Sequence, residues 1–300
     1  MSASPSLRPR SVIVTRLRAA GCVFAEDEAR LLISAARTPA DLAAMVDRRA
    51  AGLPLEHVLG WAEFCGLRIA LDPGVFVPRR RTAFLVRQAA ALVRRAAGPA
   101  GQALAGPRAV VVDLCCGSGA VGAALVAALD RVELYAVDLD PTAVHCARRN
   151  VAAADGQVYE GDLYEPLPAT LRGRVDVLVA NTPYVPTAAI GLLPPEARIH
   201  EPRVALDGGA DGLDVQRRVI AAAPVWLAPG GYLLVETSER QAPQTVETCA
   251  RNGLIPRVAS SDELNATVVI GTRPARQSGA PAAMTEAEAG HGLDQGTLWR

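Results

Sequence analysis

From Ala109 onward, short apolar runs alternate with helical stretches, and few architectures accept that order. The apolar runs fall at 109–114, 132–139, 157–163, 175–180, 231–237, 256–260 and 266–272. Helical patterns begin after Gly119, at Pro141, at Val215 and at Ala242. Short apolar runs bounded by turn residues read as buried strands, and strands alternating with helices imply a doubly wound, mostly parallel sheet. The class expected is therefore α/β, with seven strands. Asp140 before Pro141 supplies a capping acid and then a proline at the first helical position, which marks a helix start. Only residues 261–265 separate the last two runs, a spacing that permits a hairpin and hence one antiparallel strand.

The text upstream is different. From Val12 to about Arg49, apolar residues recur at three- and four-residue spacing, and acids lead the stretch 25–33, the pattern of a small helical domain. Two extended runs, 63–71 and 75–77, flank Asp72-Pro73-Gly74 and predict a hairpin turning there. Residues 82–97 look helical, and 98–107 break the pattern. The expected division is a helical substrate-recognition domain at 1–62, a hairpin and helical linker at 63–107 and the sheet domain at 108–273. Residues 274–300 have the Ala, Gly, Pro and polar composition of a disordered tail.

Composition removes several functions. The 31 basic residues balance 31 acidic ones, which argues against direct nucleic-acid binding. All the basic residues are arginine, so Schiff-base chemistry and a lysine-containing P-loop are excluded. The six cysteines show no CxxC spacing and read as reduced thiols, neither a metal site nor a disulfide framework. No apolar run approaches a membrane span and the N-terminus lacks the apolar core of a signal peptide, so a cytoplasmic location with no membrane partner is expected.

Two constellations carry chemistry. The first is a strand entering a glycine-containing loop and then a helix, with Asp113 in the strand and Cys115, Cys116, Gly117, Ser118 and Gly119 in the loop. Such glycines admit a ligand close to the backbone, and an acid at the strand end can take a hydroxyl or an ammonium. Asp138 ends the next strand at the distance expected for a carboxylate on ribose hydroxyls. The loop lacks a full GxGxxG because Cys115 takes the first glycine position. A pyrophosphate needs those glycines, whereas S-adenosylmethionine has no phosphate and tolerates a looser loop. Asp162, ahead of Leu163, is placed either to meet an adenine amino group or to cap a turn.

The second constellation is Asn181-Thr182-Pro183-Tyr184, directly after the run 175–180. Ligands of open α/β sheets bind beyond the carboxyl ends of the strands. There, an Asn side-chain oxygen and a neighbouring carbonyl can both accept from one NH2 group, and Tyr184 can wall the pocket. The competing readings are a turn cap for Asn181 and a core aromatic for Tyr184. An exocyclic amine of DNA or RNA presents the same planar NH2 as an amide. His57, His145 and His200 have no ligand spacing and read as surface or turn residues, Cys115-Cys116 as packing residues and Arg79 to Arg81 as a solvated turn.

Taken in order, the motifs over roughly 12–273 resemble the HemK/PrmC family of protein-(glutamine-N5) methyltransferases. The matching segments are Gly52-Leu53-Pro54 through Gly60, Val77-Pro78-Arg79 with Thr82, Asp113-Leu114 with Gly117-Ser118-Gly119, Val137-Asp138, Gly161-Asp162-Leu163 and Asn181 to Tyr184. The closing signature is Glu201-Pro202-Arg203 with Ala205 through Asp214, where Glu201 and Arg203 are expected to pair and brace the substrate loop. The resemblance implies a class I S-adenosyl-L-methionine methyltransferase, Rossmann-like, behind a helical domain and a hairpin. It implies cofactor contacts at Cys115 to Gly119, Asp138, Leu163 and Asn181, and substrate contacts at Asn181 to Tyr184. The implied substrate is the glutamine of a Gly-Gly-Gln motif in a class I peptide-chain release factor; a different protein target is the alternative. Three positions depart from the family pattern: Thr182 replaces a proline, Arg80-Arg81-Thr82-Ala83 replaces Pro-Glu-Thr-Glu, and Cys115 replaces a glycine.

Overall fold

The computed structural model describes residues 10–96 and 108–275. The break expected at 98–107 and nearly all of the 274–300 tail lie outside them. Four helices come first: α1 (Arg10–Ala19), α2 (Ala25–Ala35), α3 (Pro39–Ala50) and α4 (Leu55–Leu59). Thr38 starts α3 by accepting the Asp41 N–H at 3.0 Å, with Pro39 in the first turn. These helices bury their own apolar cluster around Leu17, Leu32, Met45 and Val46.

The hairpin is present, but its turn is not at Asp72-Pro73-Gly74. Strands β1 (Trp61–Phe64) and β2 (Leu67–Ala70) pair antiparallel around Cys65-Gly66. Both turn residues take positive φ, 52° and 78°, the backbone a two-residue hairpin needs to match strand twist. Asp72 to Gly74 instead form a separate turn, closed by the Val75 N–H on the Asp72 carbonyl. The chain after it leaves the hairpin, and Leu71, Val75 and Val77 pack on Ala143 and Cys146. Helix α5 (Ala83–Ala96) follows a short 3-10 turn at Arg80–Thr82.

The sheet is built from β3 (Ala109–Leu114), β4 (Val132–Asp138), β5 (Gln157–Glu160), β6 (Val175–Ala180), β7 (Leu227–Thr237), β8 (Ile255–Ser261) and β9 (Ala266–Thr272). Between them run α6 (Ala120–Ala128), α7 (Pro141–Val151), α8 (Pro195–His200), α9 (Asp214–Trp226) and α10 (Ala242–Arg251). The strand order is β5-β4-β3-β6-β7-β9-β8, with β9 antiparallel to both of its neighbours. The seven strands and the single reversed one are as the sequence predicts. Two boundaries move by more than a residue: β5 stops at Glu160 because Gly161 (φ 153°) and Leu163 (φ 52°) leave the extended region, and β7 begins at Leu227, four residues before the expected start at 231.

Central strands β3 and β6 are buried on both faces, which is why each reads as a near-continuous apolar run with a single aspartate. Val111, Val177 and Leu234 face Leu85 and Ala89 of α5 and Leu125 of α6. Val112, Leu178 and Val235 face Ile220 and Trp226 of α9. Asp140 caps α7 by accepting the Thr142 N–H at 2.8 Å. Strand order reverses between β3 and β6, so a crevice opens there beyond the strand ends.

Candidate active site

A pocket of about 390 Å³ occupies that crevice. Every site residue expected from sequence lines it except Gly119, which stands behind as the N-cap of α6. The loop after β3 turns on three left-handed residues, Cys115 (φ 55°), Gly117 (φ 54°) and Gly119 (φ 75°). A Cβ on Gly119 would sit 3.0 Å from Ala147 Cβ, so this loop packs directly on α7. On Gly117 it would meet nothing within 4 Å, so that glycine serves the turn and leaves the space beside it open.

Asp138 ties the loop to β4. Its Oδ2 accepts the Gly117 N–H at 2.7 Å and its Oδ1 accepts the Asp140 N–H at 3.0 Å. Burial raises its pKa, and those N–H groups oppose the rise. Asp113 is buried at the end of β3 with Oδ2 on the Gly122 N–H at 2.9 Å. Burial pushes its carboxyl up to about 7. The Cys115 and Cys116 thiols are likewise pushed up by burial, and so stay protonated, as expected for packing residues. Ser118 is buried, and its carbonyl accepts from Asn150 Nδ2 at 2.8 Å. Asp162 pairs with Arg218 at 2.6 Å, and its main-chain carbonyl accepts the Glu165 N–H, so it closes a turn as well as facing the pocket.

The tetrapeptide leaves β6, the strand beside β3, and enters the same pocket. Asn181 turns its side-chain nitrogen to Thr82 Oγ1 at 3.4 Å, which leaves Oδ1 to accept from a ligand. Thr182 is buried, and its hydroxyl has no hydrogen-bond partner among the described residues. Tyr184 places its hydroxyl 2.5 Å from Arg81 Nη2 and 3.3 Å from Glu236 Oε1. Burial first, then Glu236, raises the Tyr184 phenol to about 12, so it stays a donor.

The backbone of the tetrapeptide is held by a distant segment. Gly208 donates to the Val185 carbonyl, and Val185 donates to the Leu206 carbonyl. A Cβ on Gly208 would fall 2.7 Å from the Pro183 carbonyl, and one on Gly212 would strike the Tyr184 carbonyl. Gln241 Nε2 donates to the Tyr184 and Asp211 carbonyls, both at 3.0 Å, while its Oε1 accepts from Ser238 at 2.6 Å. Sequence reasoning missed Gln241 and Glu236; no motif marks either one.

Three expectations are corrected here. Glu201 and Arg203 do not pair with each other: Glu201, whose side chain is 1% exposed, holds Arg79 at 2.6 and 2.7 Å, and Arg203 pairs with Asp207. Glu201 caps the end of α8 and faces the Val77–Arg79 segment, whereas Arg203 lies one turn further on, four residues from Asp207. The arginine cluster is not simply a solvated turn either, since Arg79 and Arg81 each reach a buried carboxylate. His57 is buried and bonds the Val75 carbonyl at 2.8 Å, a packing role and not a surface one. Among the described residues no group of three or more His, Cys, Asp or Glu side chains could hold a metal ion. No described helix is long and apolar enough to cross a membrane.

An open sheet in this order, with a glycine-bearing loop after β3 and a carboxylate ending β4, defines a class I methyltransferase. Residues 101–194 match the family model described as a methyltransferase small domain. The chain is 39% identical over 240 residues to a release factor glutamine methyltransferase of Geobacter sulfurreducens, spanning 78% of this chain and 79% of that one. It is 37% identical over 257 residues to one of Mycolicibacterium smegmatis, spanning 83% and 86%. A solved methyltransferase of Pyrococcus furiosus superposes with a TM-score of 0.48 at 15% identity, over 77% of this chain and 98% of that one. The chain belongs to the release factor glutamine methyltransferase family.

Proposed function

We propose that this protein transfers a methyl group from S-adenosylmethionine to the side-chain amide nitrogen of a glutamine, in the Gly-Gly-Gln motif of a class I release factor. The observation that carries the reading is Asn181, held by Thr82 at the end of β6, its oxygen without a hydrogen bond among the described residues, beside the β3 loop in the same pocket. The residues fit the cofactor. Asp138 spends one lone pair of each oxygen on backbone N–H groups and keeps the others for two ribose hydroxyls. Asp113 offers a buried carboxylate for an ammonium, Asp162 and Leu163 line the adenine side, and the backbone from Cys115 to Gly119 forms the cradle. When bound, S-adenosylmethionine supplies an electrophilic methyl on a sulfonium centre.

An amide nitrogen is a weak nucleophile because its lone pair is delocalised; the rotation barrier of a peptide C–N bond is about 18–20 kcal/mol. Asn181 Oδ1 and the Thr182 carbonyl accept the two amide hydrogens and turn the lone pair toward the methyl. Pro183 keeps residue 182 extended, which presents that carbonyl. The contribution is orientation, together with acceptors that strengthen as charge grows on nitrogen. No strong base is needed, since the methylated amide sheds its proton afterwards. Tyr184 walls the site.

Helices α1–α4 serve as the recognition unit, joined to the pocket wall through Arg49, which bridges Glu28 of α2 at 2.6 Å and Glu196 of α8 at 2.7 Å. A translation factor as substrate places the enzyme in the cytoplasm. A second reading, a different protein target, is favoured by Arg81 and Ala83, which stand where the family pattern has acids. The test is incubation with S-adenosylmethionine and purified release factor, then peptide mass analysis. A methyl group on the Gly-Gly-Gln glutamine is expected; an unmodified motif, with another protein in the same lysate labelled, would overturn the assignment.

A further inference from the structure

Arg81 stands on the substrate side of the pocket, where a guanidinium is out of place. Bound S-adenosylmethionine would put a sulfonium in this pocket beside a nitrogen that gains positive charge during transfer, and a bare cation on the wall would oppose both. Arg81 is not bare. Its Nε lies 3.3 Å from Glu236 Oε1, and its Nη2 reaches the Tyr184 hydroxyl. Tyr184 also meets the same Glu236 oxygen at 3.3 Å, and the guanidinium carbon stands 5.8 Å from the Tyr184 ring centre. The Glu236 side chain is 2% exposed against 43% for Arg81, and its second oxygen has no partner among the described residues. Glu236 is therefore a buried carboxylate set against the Arg81 guanidinium, one position beyond the last β6–β7 register pair, Ala180 and Val235, and so level with Asn181.

We propose that Glu236 sets the charge of the methyl-transfer pocket: by cancelling Arg81 it lets the site prefer a cationic sulfonium over the neutral thioether left after transfer. Glu236 is a positioning residue in this role, acting through Arg81 and Tyr184. The inference rests on the S-adenosylmethionine reading and adds a selectivity to it.

The test compares calorimetric affinities for S-adenosylmethionine and S-adenosylhomocysteine at pH 8, in the full-length protein. Glu236→Gln keeps an oxygen for Arg81 and Tyr184 and removes only the charge. It is expected to weaken sulfonium binding at least threefold relative to thioether binding. Arg81→Gln is expected to move the ratio the other way, and it serves if the Glu236 variant does not fold. The double variant, neutral again, is expected to return within twofold of the native ratio. A purely structural role would shift both ligands by the same factor. Equal shifts in both single variants, with binding retained, would overturn the proposal and leave the cofactor reading standing. Absence of binding by the native protein would overturn both.

Discussion

Asp113 makes a prediction that can be worked from the structure. In the unfolded chain its carboxyl ionises near the ordinary 3.8; in the fold, burial pushes it up to about 7, with Asp138 adding to the rise and the Gly122 N–H opposing it. Between those values the unfolded chain has released the proton and the folded chain has not, so stability falls as pH rises. The slope is about 1.4 kcal/mol per pH unit, and above the folded pKa the loss is complete and constant. Asp113→Asn offers the Gly122 N–H the same acceptor without a titrating group. The stability of the variant relative to the native protein should therefore grow by about 2.7 kcal/mol between pH 5 and 8, most of it below pH 7. Urea unfolding of both proteins at pH 5, 6, 7 and 8 measures this difference, and carboxylates remote from residue 113 cancel in it. A gap that stays flat across that range would refute the assignment of a proton to buried Asp113. The variant should also lose affinity for a ligand ammonium, since the partner charge is gone.

Three further outcomes are expected. Asn181→Ala should leave S-adenosylmethionine affinity close to native in calorimetry and lower turnover by roughly tenfold or more, about 1.4 kcal/mol of orientation. Gly212→Ala forces a side chain at φ 81° onto the Tyr184 carbonyl and Gln241, so thermal melts should show a loss of about 1–3 kcal/mol, and KM for the protein substrate should rise. Thr182→Pro removes a buried hydroxyl that has no hydrogen-bond partner among the described residues and narrows the unfolded chain. It should stabilise by about 0.4–1 kcal/mol in urea unfolding and keep turnover, because the carbonyl remains.

Much of this architecture is written locally, and that is what sequence can show. The strands β3 and β6 are apolar but for one aspartate each because both faces are covered, and α7 announces itself through Asp140 and Pro141. Asp113, Asp138 and Asn181 are legible because strand ends in an α/β sheet converge on one crevice. What escaped depended on partners far along the chain. The hairpin turn went to the Pro-Gly signal at 73–74, while the true turn uses Cys65 at φ 52°, a conformation that cysteine's sequence statistics do not advertise. Glu201 looked toward its neighbour Arg203, yet its partner Arg79 lies 122 residues away. Glu236 sits inside a run that reads simply as strand, and only the register of β7 beside β6 brings it to Tyr184.

The glycine loop and the Gln241 clamp carry a consequence for anyone who would graft this site. Asn181 to Tyr184 make four residues of sequence, but their shape is cast by a mould formed from Gly208, Gly212 and Gln241. A transplanted tetrapeptide without that mould would be an ordinary surface turn. The unit of inheritance, and of redesign, is the interlocked pair of segments 181–185 and 206–212 with the amide of residue 241 as its keystone.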